Sequence, residues 1–311
     1  MNLYDRQFNR LVEHIKNNSK ETLILNLISR LNEIKSEIIK DYNNFVDYYN
    51  TYSFWGTLNP EIGNFETLIS RIDILKNNID NIVWFYNKLK DYKSKRTLYA
   101  ILLNWLVINT VLLNDVKINE KQYFDLDIFP NNKDDVFVDC GAYTGDTIKD
   151  YISMYGNDYK KIYAYEIELN SFNALKQLTY DNINAINKGI SDKDEILYIN
   201  LLEESSANTL SNIKNENSVQ CTSLDNDIKE KISFIKMDIE GYEQKAILGA
   251  KEHIKNDTPK LAISIYHGYK ALIEIPKMIE EINTNYDFYL RHYGGNLIPT
   301  EFILLCKGVD K

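Results

Sequence analysis

Glycine is nearly missing from the first 120 residues of this 311-residue chain, where only Gly56 and Gly63 occur; ten of its twelve glycines follow residue 140. That contrast marks two kinds of structure. Cysteine is scarce as well, and Cys140, Cys221 and Cys306 are far apart and odd in number. Their spacing argues against a disulfide framework and against a thiolate metal set, and predicts reduced core residues of a cytoplasmic protein. Basic charge is in deficit: the net charge of −9 disfavours a nucleic-acid partner. No apolar run is long enough for a bilayer. The longest, Leu98 to Leu113, is interrupted by Asn104 and Asn109 and predicts a buried helix, so no membrane span is expected. The opening MNLYDRQFNRLVEHIKNN is polar and amphipathic, which predicts no targeting signal.

The length suffices for two domains. Residues 1–120 carry helical periodicity. Tyr4, Phe8, Leu11, Val12 and Ile15 form one stripe. Ile24, Leu27, Ile28, Leu31, Ile34 and Ile38, continued by Phe45 and Tyr49, form a second. Leu68, Ile72, Leu75, Ile79, Ile82, Val83 and Tyr86 form a third, and a fourth helix is expected over about Lys95–Leu113. FWGTLNPEIGN, residues 54–64, is a turn-rich break. The expectation is an all-α region that caps a site, recognises an acceptor or mediates self-association into a homo-oligomer. Tyr42, Tyr48, Tyr49, Tyr52, Phe54 and Trp55 either line an acceptor pocket or simply pack a core.

From residue 121 to 311 the pattern becomes α/β. Strands are expected at 135–139, 161–165, 183–187, 196–201, 232–237, 261–266, 286–291 and 301–306. Helices are expected at about 147–154, 170–179, 243–254 and 272–283. Alternation of this kind implies a mostly parallel sheet with helices on both faces. The last two strands leave no room for a helix between them, which predicts an antiparallel pair at the sheet edge.

The most informative stretch is VDCGAYTGDT, residues 138–147, with YAYE at 163–166. An apolar run ends in Asp139, a turn bearing Gly141 and Gly145 follows, and a second apolar run ends in Glu166. Strand, tight turn, helix and an acid at the next strand tip make the nucleotide-binding half of a doubly wound fold. A dinucleotide would dock its pyrophosphate on the helix N-terminus. Here the glycines are four apart and Asp146 occupies that position. Acids oppose a dianion and suit a cation, so the turn reads as a site for S-adenosylmethionine, whose sulfonium and ammonium replace any phosphate. Asp139, Gly141, Ala142, Tyr143, Thr144, Gly145 and Thr147 are the candidate donor-binding residues. Asp139 either fixes the turn or meets the ligand's ammonium, and Glu166 takes the ribose hydroxyls. Glu168 faces solvent or begins the next helix. Ser191 and Asp192 are candidates for the adenine edge, or an ordinary hairpin turn.

SFIKMDIEGYE, residues 233–243, runs a buried strand into Asp238 and Glu240. Asp238 is a candidate at the methyl-transfer face, both for donor binding and for catalysis. Glu240 pairs with a basic group, caps the helix or binds acceptor hydroxyls. AISIYHGY, residues 262–269, ends a further strand at His267, which has the pKa range of a general base. RHYGG at 291–295 offers Arg291 and His292, or a hairpin loop. His14 and His253 lie on helical patterns without functional signal.

In this order, VDCGAYTGDT, YAYEIELNSF, SSANTLS (205–211), TSLDN (222–226), FIKMDIEGYEQKAILGA and AISIYHGY resemble the FkbM family of S-adenosylmethionine-dependent methyltransferases. The resemblance covers about residues 121–306, including QYFD at 122–125. One departure is Tyr143, where many members carry Asn. The resemblance implies a class I Rossmann-like methyltransferase fold and methylation of hydroxyls on sugars, glycans or secondary metabolites, with S-adenosyl-L-methionine as cofactor. Such a transfer is an in-line displacement that needs an aligned acceptor and a base, for which Asp238 and His267 are candidates and Glu240 an accessory acid. An amine acceptor would need only an oriented lone pair, so N-methylation is the alternative. A nicotinamide-dependent oxidoreductase is disfavoured by the missing middle glycine and by Asp146; a non-catalytic binding module is the remaining reading. No metal-ligand cluster is evident in the sequence, and no metal is expected.

Overall fold

The computed structural model describes residues 3–130, 133–200 and 208–309. The chain divides into two compact units. The first comprises residues 1–119, 265–274 and 288–303; the second comprises 120–264, 275–287 and 304–311.

Among the described residues, seven α-helices build the N-terminal part of the first unit: α1 (Leu3–Asn17), α2 (Lys20–Glu37), α3 (Ile39–Thr51), α4 (Glu66–Asn77), α5 (Ile79–Lys88), α6 (Tyr92–Val107) and α7 (Thr110–Asp115). Each buries one apolar stripe, such as Phe8, Leu11 and Ile15 of α1 or Leu23, Leu27, Leu31 and Ile34 of α2. Periodicity predicts four helices, and the structure breaks three of those stripes. The second is cut at Ile38, which leaves helical geometry (φ −141°) and is exposed. The third is cut at Asn78, whose side-chain amide donates to the Ile74 carbonyl. The fourth is cut at Ile108, in left-handed geometry (φ 50°), after which Asn109 caps α7 by accepting from the Leu112 amide at 2.9 Å. Periodicity survives across such breaks because the next helix resumes in nearly the same phase; only capping geometry shows them. The 54–64 break contains two short 3-10 turns, and the Glu66 carboxylate closes it by accepting from the Thr57 amide and hydroxyl.

Eleven strands among the described residues form two sheets. The larger contains β1 (Val136–Cys140), β2 (Lys161–Tyr165), β3 (Ile183–Ile186), β8 (Phe234–Met237), β9 (Lys260–Ser264), β10 (Tyr286–His292) and β11 (Phe302–Gly308). Their order is β10-β11-β9-β8-β1-β2-β3. β1, β2, β3, β8 and β9 run parallel. The bonds from Tyr293 to the Glu301 carbonyl and from Val309 to the Asn285 carbonyl set β10 and β11 antiparallel, as the missing helix between them predicts. Strand order reverses at β1, so a crevice opens beyond the carboxyl ends of β1, β2 and β8.

The second sheet departs from the sequence expectation. β4 (Gly189–Ile190), β5 (Glu195–Asn200), β6 (Thr209–Ser211) and β7 (Ser218–Thr222) pair in the order β4-β7-β5-β6. The strand expected at 196–201 belongs here, not in the main sheet; residue 201 lies outside the described residues, as do Ser205, Ser206 and Ala207 of the SSANTLS motif. This sheet packs a small core of Leu197, Ile199, Val219 and Cys221 against Ile167, Leu210 and Tyr242. Two-residue β4 and three-residue β6 are too short to show a period. Cys140, Cys221 and Cys306 are buried free thiols. Among the described residues no helix is long and apolar enough to cross a membrane.

Candidate functional site

The turn after β1 is held from two sides. Gly141 and Ala142 donate their amides to the Tyr165 carbonyl of β2, at 3.0 and 2.9 Å. Gly141 has φ +79°, and a Cβ there would lie 2.0 Å from the Asp238 carbonyl oxygen, so only glycine lets the β1 turn and the β8 tip come this close. The turn ends with Gly145, and α8 (Asp146–Tyr155) begins at the exposed Asp146. Tyr143 also sits in left-handed geometry, at φ 46°. Asn tolerates that region better than tyrosine does, which is a physical reason for Asn at this position in many proteins that the motif resembles.

Asp139 is fully buried and pairs with Lys236 at 3.0 Å, in register across the β1–β8 ladder. Burial pushes its carboxyl up to about 6, against the pull of the Lys236 ammonium. Asp139 lies beneath the turn and does not line the cavity described below. Lys236 donates onward to the Gly141 carbonyl at 2.8 Å.

Glu166, at the tip of β2, accepts from the Tyr143 amide at 2.8 Å through one oxygen and from the Glu168 amide at 2.7 Å through the other. Burial raises its carboxyl above the usual range, and these amides oppose the rise. Glu168 caps α9 (Leu169–Leu175) by accepting from the Asn170 and Ser171 amides.

At the tip of β8, the Asp238 carboxylate accepts from the Tyr123 hydroxyl, whose ring comes from the segment ahead of β1. Glu240 has φ 53° and is followed by Gly241 at φ 94°. Glu243, the first residue of α10 (Glu243–Gly249), accepts from the Ile239 amide at 2.9 Å and so closes the loop ahead of that helix, which has no side-chain cap. Glu240 is left on the wall of a cavity.

That cavity encloses about 550 Å³ of empty space, its open mouth included. Of the expected residues, Gly141, Tyr143, Glu166, Asp238 and Glu240 line it. Asp139, Ala142, Thr144, Gly145 and Thr147 do not; Asp139, Ala142 and Thr147 are buried in the turn's support. Ser191 and Asp192 are also off the wall. The Ser191 hydroxyl is buried and donates to Glu195 at 2.7 Å, closing the turn between β4 and β5. Their neighbours Lys188, Gly189 and Ile190 are on the wall, together with Asn208 and with Leu210 of β6. Lys188 is tied to Asp227 at 2.6 Å, and Asp227 also accepts from Tyr165. Sequence reasoning passes over Lys188, Asn208 and Lys236. Only Lys236 carries a signal, as a charged residue inside an otherwise apolar strand. Three carboxylates and one ammonium line the cavity, and that ammonium already has a carboxylate partner. Such a wall accepts a cationic nucleoside and repels a pyrophosphate.

His267 belongs to the first unit, where it is buried beside Tyr266 with its ring 5.7 Å from that of Phe54. Trp55 packs edge-on to Phe54 and Tyr49 and obliquely on Tyr48, so the aromatic group of residues 42–55 largely packs against itself. Arg291 grips Asp91, the cap of α6, and His292 is fully buried with its pKa lowered to about 4 by desolvation. Both act as scaffold, and neither forms a loop.

The sequence profile of the Methyltransferase FkbM domain matches residues 139–294, half of the chain. The crystal structure of a methyltransferase FkbM from Methylobacillus flagellatus KT aligns with a TM-score of 0.64 at 22% identity, covering 85% of this chain and 70% of that one. It shows a shared fold. Weaker alignments reach an rRNA methylase from Streptococcus thermophilus (TM-score 0.38, 13% identity, 58% of this chain and 90% of that one). They also reach a SAM-dependent methyltransferase from Aquifex aeolicus (TM-score 0.35, 14% identity, 58% and 85%). At these scores neither carries an argument here. No curated protein matches the sequence.

Proposed function

Since this chain belongs to the FkbM methyltransferase family, and is thus an S-adenosylmethionine-dependent methyltransferase, we propose that it methylates a hydroxyl of a sugar, glycan or secondary metabolite. The observation that carries the donor's placement is the cavity wall of Glu166, Asp238 and Glu240, with Lys188 as its one, already partnered, cation. Bound there, S-adenosylmethionine supplies a methyl group already activated for displacement.

The residues of the chain divide the remaining work. Backbone amides hold both Glu166 oxygens, and the carboxylate accepts a ribose hydroxyl through a remaining lone pair. The Gly141–Tyr143 turn holds the amino-acid end of the donor. Ile167, Ile190 and Leu210 offer apolar contacts to the base, and Lys188 and Asn208 offer polar ones, in place of Ser191 and Asp192. Asp238 orients the acceptor and takes its proton, with the Tyr123 hydroxyl fixing the carboxylate. His267 is the second candidate base, and Glu240 binds further acceptor hydroxyls. The helical region of residues 1–120 serves as a cap, in acceptor recognition or in self-association.

Isothermal titration with S-adenosylhomocysteine and with NAD tests the donor site; tight NAD binding with none of the thioether overturns it. Release of S-adenosylhomocysteine is then followed over a panel of hydroxyl and amine acceptors. Asp238→Asn or His267→Ala should lower turnover by about 10²- to 10⁴-fold with donor affinity kept. Wild-type turnover in both variants removes the base assignment, and a methylated amine as the sole product removes the hydroxyl.

A further inference from the structure

Lys236 is a charged side chain in a place that the fold alone would give to an aliphatic one. It lies in the middle of the sheet, on β8 between β1 and β9, and is 2% exposed. Burying an ammonium is costly, and a buried ion pair with Asp139 seldom repays that cost against apolar residues of similar volume. The contacts of Lys236 show what else it does. Its ammonium reaches the Asp139 carboxylate at 3.0 Å and donates to two consecutive carbonyls where β1 becomes the turn, Cys140 at 3.4 Å and Gly141 at 2.8 Å. The Tyr123 ring covers it, with the ammonium 5.2 Å from the ring centre, and the hydroxyl of the same ring binds Asp238.

The lysine thus ties together the two strand tips that flank the cavity. Gly141 and Asp238 both line that cavity, and Gly141 passes so near the Asp238 carbonyl that their spacing leaves no slack. The planar Gly141–Ala142 peptide is held at both edges, its amide by the Tyr165 carbonyl and its carbonyl by the Lys236 ammonium.

We infer that Lys236 is a positioning residue for the donor: it presets the Gly141 turn to receive the amino-acid end of S-adenosylmethionine. The inference rests on the donor placement proposed above. It assigns no part to Lys236 in holding the nucleoside end, which lies along Glu166, Lys188 and Ile190.

The test compares two probes by isothermal titration: S-adenosylhomocysteine, which has the amino-acid end, and 5′-methylthioadenosine, which lacks it. Lys236→Met should weaken the first by about 10- to 100-fold, the size of a lost hydrogen bond to a charged group, and the second by less than about threefold. Because that variant leaves Asp139 buried without a counter-charge, the Asp139→Asn/Lys236→Met double variant is measured alongside it. It removes both charges, should fold, and should show the same split between probes. A folded double variant that weakens both probes alike, or neither, overturns the inference and leaves the donor site standing. A wild-type protein that binds neither probe overturns the donor placement and the inference together.

Discussion

Replacing Gly141 by alanine puts the closeness of the β1 turn and the β8 tip to a quantitative test. The added Cβ would stand 2.0 Å from the Asp238 carbonyl oxygen, whereas ordinary contact begins at 3.4 Å, so one of the two must retreat by about 1.4 Å. Gly63→Ala serves as the reference. Its φ of +74° is close to the +79° of Gly141, but nothing lies within 4 Å of its Cβ. The reference variant bears only the cost of left-handed geometry, about 1–2 kcal/mol, reduced by the stiffer unfolded chain to roughly 0.5–1 kcal/mol. Gly141→Ala adds overpacking of about 1–3 kcal/mol, for a total of about 2–4 kcal/mol. At ~2–4 °C per kcal/mol for a domain of this size, thermal melting should fall by about 5–15 °C, against at most about 4 °C for the reference. Moving the Asp238 backbone by more than an ångström should also weaken S-adenosylhomocysteine by at least about tenfold in calorimetric titration, while Gly63→Ala binds normally. If the two variants melt within about 2 °C of each other and bind the ligand alike, the close approach is not what makes glycine necessary.

Asp139 gives a pH signature. Its folded pKa is raised from 3.8 to about 6, so between those values the folded state holds more protons than the unfolded one, and the stability contribution falls as pH rises through that window and is flat above it. Urea titrations at several pH values should show this slope in the difference between wild type and Asp139→Asn; parallel curves for the two proteins contradict it. Tyr143→Asn should raise stability by about 0.5–1 kcal/mol, because Asn tolerates φ 46° better, and a clear loss in the same denaturation assay counts against strain at that residue. In the first unit, the buried Arg71 guanidinium binds the Tyr269 and Tyr49 hydroxyls, and no ion pair to it occurs among the described residues. Tyr269→Phe should therefore cost about 1.5–3 kcal/mol, but less than about 1 kcal/mol in an Arg71→Met background. Equal costs in the two backgrounds would mean that the pair is not coupled. Glu166→Gln should weaken S-adenosylhomocysteine by about tenfold or more, and unchanged affinity takes the ribose away from Glu166.

The parts of the site that are legible in the sequence are those whose signal is local. Gly141 and Gly145 mark a turn, and an acid at the end of an apolar run marks a strand tip, so Asp139, Glu166 and Asp238 stand out from their immediate neighbours in the chain. Gly141, Tyr143, Glu166, Asp238 and Glu240 line one cavity because the parallel strands align their carboxyl ends. Ser191 and Asp192 lie in the right neighbourhood, but the β4–β5 turn keeps them off that wall and leaves Lys188 to Ile190 on it. The helical breaks at Ile38, Asn78 and Ile108 are hidden in the sequence because the apolar spacing continues on either side of them.

What the amino-acid order determined by itself was the alternation of strands and helices, the helical character of residues 1–120 and the acids at the strand tips, since each depends on neighbours a few positions away. Tertiary structure alone decided which charges neutralise one another. Lys236 meets Asp139 from 97 positions along the chain, and Tyr123 meets Asp238 from 115. Those partners are chosen by strand register and by the path of the backbone, and a residue's own surroundings in sequence hold no trace of either.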